Sequence, residues 1–274
     1  MTDLFIEDKI HDECGVFGIF GNDTTDIIDE TYLALYALQH RGTLGAGIAI
    51  NDNGNMSVVK GFGVVPEALP EKELSRLKKA KIALGHVRHT TASVANDRTS
   101  IQPLLMRYVN GQLSLALNGA LTNYSELREH LHRGGAIFQS NSDIEVIAYI
   151  IAQERLETAS IEEAVLNAMD KIKGAYSMVM MAPSRLIGVR DPRGFRPLCI
   201  GKLGKNYIIT SESCVFDSLG GEFVRDVEPG EMVVIDDEGV HSYKNNCGGK
   251  TSLCLFEFVY FARPVSYTHL TLRR

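Results

Sequence analysis

Eight short apolar runs with the length of strands constrain this chain most: CGVFGIF (14–20), AGIAI (46–50), IALGHV (82–87), LSLAL (113–117), YSMVMM (176–181), RLIGVR (185–190), NYIIT (206–210) and EMVVID (231–236). Helical patterns fall between them, over Asp26 to His40, Asn123 to His132, Ser142 to Leu156 and Ser160 to Ile172. Ser142 with Glu145 and Ser160 with Glu163 have the spacing of capping boxes, in which each side chain satisfies an open backbone donor of the first turn. Strands grouped around helices in this way predict sheets packed on each other and covered by helices, not a strict alternation of strand and helix.

The charge balance narrows the partners. There are 28 Lys and Arg against 34 Asp and Glu, a formal charge of −6. Nucleic acid and anionic membrane both call for clustered cations, so neither is expected as a partner. No apolar run approaches the roughly 20 residues that span a bilayer, and the leader MTDLFIEDKIHDE is acidic where a signal peptide is basic and then apolar. A cytoplasmic protein acting on small molecules is the expectation. Five cysteines (Cys14, Cys199, Cys214, Cys247, Cys254) without CxxC spacing fit neither a disulfide framework nor a zinc ribbon.

Several phosphate and metal motifs fail in detail. Gly61-Phe62-Gly63 is followed by Pro66 where a dinucleotide fingerprint needs its third glycine, and Gly249-Lys250-Thr251 has Lys244 where a P-loop begins with glycine. MVVIDDEG (232–239) has the acidic strand end of a phosphoribosyl-diphosphate site but no phosphate loop after it, so a turn between two strands is expected there. His130 and His132 lie two apart on a helix, point in different directions and cannot share a metal.

Cys14 opens an apolar strand directly after the acidic leader. Cleavage after Glu13 makes it the first residue. An α-amine, with a reference pKa of about 7.7–8.0, can then accept the thiol proton near neutral pH without a histidine partner. Taken alone, Cys14 reads sooner as a small buried hydrophobe at a strand start, as most intracellular cysteines do.

Other motifs change the weighting. The stretches CGVFGIFG (14–21), LYALQHRG (35–42), GHVRHTTA (85–92), QPL (102–104), LNGALTN (117–123), FQSNSDIEV (138–146), KGAYSMV (173–179), RDPRGFRPLCIG (190–201), SESC (211–214), RDVEPGE (225–231) and CLFEFVYFARP (254–264) occur in one order. Together they closely resemble the class II glutamine amidotransferase domain of the amidophosphoribosyltransferase family, from about Glu13 to Pro264. The resemblance implies an α+β fold of the N-terminal nucleophile hydrolase type, a four-layer αββα sandwich of two mainly antiparallel sheets. It implies that Cys14 attacks the side-chain amide of L-glutamine and that the thioester is then hydrolysed to glutamate. It assigns the oxyanion donors to the Asn118 carboxamide and the Gly119 N–H, and the α-carboxylate and α-ammonium of glutamine to Arg88 and Asp143. Singly, Arg88 reads as a surface cation, Asn118-Gly119 as a turn and Asp143 as first-turn helix decoration; behind Cys14 and in order, they read as a site.

The chain departs from the family pattern at Thr43, Leu44, His89, Leu117 and Ala120, which bears on the loop that closes over glutamine. The same resemblance divides the chain into a propeptide (1–13), an amidotransferase domain (14–264) and a tail (265–274, VSYTHLTLRR) that matches nothing in the family. The phosphoribosyltransferase domain, where phosphoribosyl diphosphate and Mg²⁺ would bind, is expected to be absent, which leaves glutamine hydrolysis alone and an apolar face exposed near Leu253 to Phe261. No cofactor is expected in this chain. Cys254 stands where some members place an iron–sulfur ligand, with the other ligands in the missing part. The intact enzyme of such a family is expected to be a homo-oligomer. The alternatives are another class II amidotransferase, of the glucosamine-6-phosphate synthase or asparagine synthetase type, and a non-catalytic module that keeps the fold; the leader and RDPRGFRPL favour the first reading over either enzyme alternative.

Overall fold

In the computed structural model, residues 14–22, 27–77, 79–89, 98–252 and 254–266 are described. The proposed leader, residues 1–13, and most of the unmatched tail, residues 267–274, lie outside them, as does Leu253. Every expected strand forms. The first sheet has seven strands in the order β11 (Glu222–Asp226), β9 (Cys199–Leu203), β10 (Asn206–Thr210), β1 (Gly15–Phe20), β4 (Ile82–Arg88), β2 (Gly45–Asp52) and β3 (Asn55–Phe62). The second has six, in the order β13 (Gly239–Tyr243), β12 (Met232–Asp236), β8 (Arg185–Arg190), β7 (Gly174–Ala182), β6 (Gly111–Leu121) and β5 (Leu104–Tyr108). All paired neighbours run antiparallel.

Side-chain alternation builds three apolar layers. One face of β1 and β4 (Val16, Phe20, Ile82, Leu84) packs against one face of β6, β7 and β8 (Ala116, Val179, Met181, Leu186) between the sheets. The opposite face of the first sheet (Phe17, Ile19, Ile48, Val87) takes Leu35 of α1 (Ile27–Ala37) and Phe216 of α7 (Cys214–Leu219). The outer face of the second sheet (Leu115, Leu117, Met178, Met180) takes Ile147 and Ile151 of α5 (Asp143–Glu157) and Val165 and Met169 of α6 (Ile161–Lys171). Both sheets are thus buried on two faces, and their central strands read as continuous apolar runs for that reason. The result is an αββα sandwich. Two single turns, α2 (Val65–Ala68) and α3 (Glu71–Leu74), follow β3, and α4 (Tyr124–Arg133) follows β6.

Local signals were partly right. The Ser160 hydroxyl accepts the Glu163 N–H at 3.1 Å, as expected of a cap, although Glu163 returns to the N–H of Ala159. The Ser142 box does not form. Glu145 instead takes the N–H groups of Gln139 and Ser140, both at 2.8 Å, and the Ser140 hydroxyl, because the chain entering α5 folds back over the first turn and offers those donors first. MVVIDDEG is the β12–β13 hairpin: Asp236 accepts the Glu238 N–H, and Asp237 pairs with Lys81. His130 and His132 are both exposed on α4.

Candidate active site

The alternation that sorts the core also aims the candidate residues. Val16, Ile82, Leu84 and Ala116 point between the sheets. Continuing each strand by twos sends Cys14, His86, Arg88 and Asn118 to the same layer at one end of it. Contacts across the layer bear this out. Cys14 Sγ lies 3.7 Å from the carbonyl oxygen of His89, next to Arg88, and Gly15 pairs with Val87. His86 is fully buried, and its Nε2 bridges the sheets to the carbonyl of Leu117 at 3.2 Å. Burial, with Arg88 and Lys60 nearby, pushes the imidazole down to about 3, so the ring is neutral and Nε2–H is the donor.

Cys14 is half-buried. Burial raises its thiol, against the opposing pull of the His89 contact and the positive charges of Arg88 and Arg41. A thiol held up in this way reacts only if a base takes its proton.

The Asn118 carboxamide is fully buried in β6, and among the described residues neither Oδ1 nor Nδ2 has a hydrogen-bond partner. Gly119 beside it has φ +126°, and a Cβ there would lie 2.0 Å from the Ala175 carbonyl oxygen on β7. Only glycine fits. Asn118-Gly119 is therefore part of a strand and not the free turn that its composition also permitted.

Arg88 ends β4 and is buried, so it is no surface cation. Asp143 opens α5 and accepts the N–H of Leu121 at 2.7 Å, which ties the helix to the end of β6. Burial pushes its carboxyl up. Of the departures from the family pattern, Leu117 turns its side chain to the helical layer and only its carbonyl toward the site, Ala120 is exposed, and Leu44 offers its N–H to the Arg88 carbonyl at 3.0 Å.

One buried cluster behind Cys14 lay outside the sequence expectations. Arg41 is fully buried and donates from Nε to the Cys14 carbonyl at 3.3 Å, while Nη1 pairs with Glu212 at 2.5 Å and Glu257 at 2.6 Å. His40 Nε2 adds a contact to Glu212 at 2.8 Å, and the Arg263 N–H and Ser266 hydroxyl occupy its other oxygen at 3.1 and 3.0 Å. Despite its burial, these partners hold Glu212 down to about 2. The HRG and SESC motifs carry Arg41 and Glu212, but the pairing joins residues distant in sequence and no local pattern shows it.

The described residues form no group of three or more His, Cys, Asp or Glu able to hold a metal ion. Cys254, half-buried before the turn at Glu257–Phe261, belongs to no such group. On the β12–β13 hairpin, Asp237 pairs with Lys81, and Asp236 meets His241 and the Glu238 N–H. Leu255, Phe256, Val259 and Tyr260 are 72, 54, 75 and 60% exposed, which places the expected apolar face on this C-terminal segment. No helix of the described residues is long and apolar enough to cross a membrane.

Residues 88–218 match the family model described as a glutamine amidotransferase domain. With the two-sheet αββα sandwich around that span, the chain carries a glutamine amidotransferase domain on a fold of the N-terminal nucleophile hydrolase type. The chain is 42% identical over 258 residues to the amidophosphoribosyltransferase of Bacillus subtilis (strain 168), covering 94% of this chain and 53% of that protein. It is 40% identical to the amidophosphoribosyltransferase of Methanocaldococcus jannaschii, covering 92% and 56%. The solved glutamine phosphoribosylpyrophosphate amidotransferase of B. subtilis, complexed with ADP and GMP, superposes with a TM-score of 0.84 at 41% identity over 92% of this chain and 54% of that one. The chain is thus homologous to the amidophosphoribosyltransferases and carries their glutamine amidotransferase domain. It spans about half the length of the curated relatives it matches.

Proposed function

We propose that this chain hydrolyses L-glutamine through a Cys14 thioester, and that the ammonia serves the first step of purine synthesis by reacting with phosphoribosyl diphosphate to give 5-phosphoribosylamine. Loss of residues 1–13 frees the Cys14 amine. That amine takes the thiol proton, Sγ attacks the amide carbon, and the resulting oxyanion is met by Asn118 Nδ2–H and the Gly119 N–H. The protonated amine then gives its proton to the departing nitrogen. The C–N bond breaks, ammonia leaves, and water cleaves the thioester to glutamate and restores the thiol. Arg88 holds the substrate carboxylate through paired hydrogen bonds, and Asp143 receives its ammonium.

The observation that carries this reading is the Asn118 carboxamide, fully buried beside Gly119 and without a partner among the described residues, in the layer to which Cys14 and Arg88 also point. Buried polar groups are almost always satisfied within a protein, and a donor left open beside a thiol is suited to an anion that exists only during reaction. Phosphoribosyl diphosphate and its Mg²⁺ are proposed to bind outside the matched half of the relatives, and a homo-oligomer is proposed for the complete enzyme. The test is glutamate release by Cys14→Ser. It is expected to vanish, since a serine hydroxyl ionises far less readily than a thiol. Wild-type rates in Cys14→Ser would remove Cys14 as the nucleophile.

A further inference from the structure

Asn118 is not the only open polar group at its position. Ser177 on β7 stands directly opposite Asn118 in the strand register. It is fully buried, and its hydroxyl also has no partner among the described residues. Val179 and Met181, two and four residues on, point between the sheets with Ala116, so Ser177 and Asn118 share one face. Side chains directly opposed across an antiparallel pair have Cβ atoms roughly 4.5–5.5 Å apart, a span that a hydroxyl and a carboxamide bridge with one rotation about each side chain.

The chemistry requires such a bridge. A carboxamide has a donor end and an acceptor end of nearly equal shape. With Nδ2 toward the reacting carbon, Asn118 stabilises the oxyanion; flipped, Oδ1 repels it. The neutral His86 fixes the Leu117 carbonyl, and with it the backbone leading to Asn118, but it does not choose between the two flips.

We propose that Ser177 is a positioning residue for the oxyanion step: its O–H donates to Asn118 Oδ1 and thereby turns Nδ2 toward the reacting carbon. The pairing satisfies two buried groups at once and leaves the amide donor for the substrate. It rests on the glutamine hydrolysis proposed above for its catalytic meaning, but not for its existence.

The experiment is a double-mutant cycle on the full chain with Ser177→Ala and Asn118→Ala, read in two ways. In thermal unfolding without glutamine, the two Tm losses are expected to be sub-additive, because the second substitution removes a bond already broken. In glutaminase assays, Ser177→Ala is expected to lower kcat roughly 3- to 10-fold, the equivalent of one net hydrogen bond, with KM unchanged. On the Asn118→Ala background it is expected to change kcat by less than about 2-fold. Strictly additive Tm losses, or the same kcat loss on both backgrounds, would overturn the proposal. A chain that releases no glutamate overturns the proposed function instead, and the Tm cycle then decides the pairing by itself.

Discussion

The two walls of the site are built on opposite principles. Behind Cys14, Arg41 is saturated: it meets the Cys14 carbonyl, Glu212 and Glu257, and Glu212 is itself engaged by His40, Arg263 and Ser266. Across the layer, the Asn118 carboxamide and the Ser177 hydroxyl are just as buried and have no partner among the described residues. The first wall spends its polar groups on holding the Cys14 backbone in place; the second keeps them in reserve. Substitutions on the first should therefore cost stability, and on the second, rate.

Arg41→Met should break that contrast most severely. It leaves Glu212 and Glu257 buried without their shared cation, and a loss of about 3–5 kcal/mol in denaturant unfolding is expected. A loss under about 1 kcal/mol would mean that the ion pairs are no firmer than surface ones. Asn118→Ala should do the reverse. Loss of one oxyanion donor is expected to lower the kcat for glutamate release by about 10²–10³-fold, while unfolding stability falls by only about 1 kcal/mol, the worth of the single bond proposed with Ser177. Equal damage to stability would make Asn118 a structural residue.

A smaller effect sharpens the comparison through pH. His86 is held down to about 3 in the fold and returns to about 6.5 on unfolding, so the unfolded chain binds the extra proton and stability falls as pH drops below 6.5. From that group alone, about 1 kcal/mol should be lost between pH 7 and 5.5. Glu212, depressed to about 2, contributes in the same direction but only lower, below its unfolded value of about 4.3. His86→Gln should flatten the stability profile between pH 7 and 5.5 and leave the steeper acid limb in place. An unchanged slope would place the proton elsewhere.

Much of the fold was legible, and the misses share a cause. All eight strands read from the sequence lie inside the sheets, where both faces are buried and the run is apolar throughout. The edge strands β3, β5, β11 and β13 do not read as apolar runs because polar residues interrupt them, as in NMSVVKGF and EFVRD, and the interior β9 is missed because Gly201 and Lys202 break the run CIGKL. Turn chemistry marks two of them: Asn53-Gly54, with φ of 50° and 90°, joins β2 to β3, and Asn110-Gly111 joins β5 to β6. In the site, Cys14, Arg88, Asn118, Gly119 and Asp143 were legible as motif positions. Arg41, Glu212 and Glu257 were not read as a unit, because their pairing exists only once α1 and the C-terminal segment meet behind β1. Ser177 was invisible for the same reason: its significance is a register, and a register is a property of two strands.

The central claim is that the Cys14 thiol reacts through its own amine. Intact mass and N-terminal peptide mapping of protein that actively releases glutamate test this most directly. The active species is expected to begin at Cys14, and blocking its amine is expected to abolish activity while the fold persists. Glutamate release from a chain whose every molecule still begins at Met1 would contradict it.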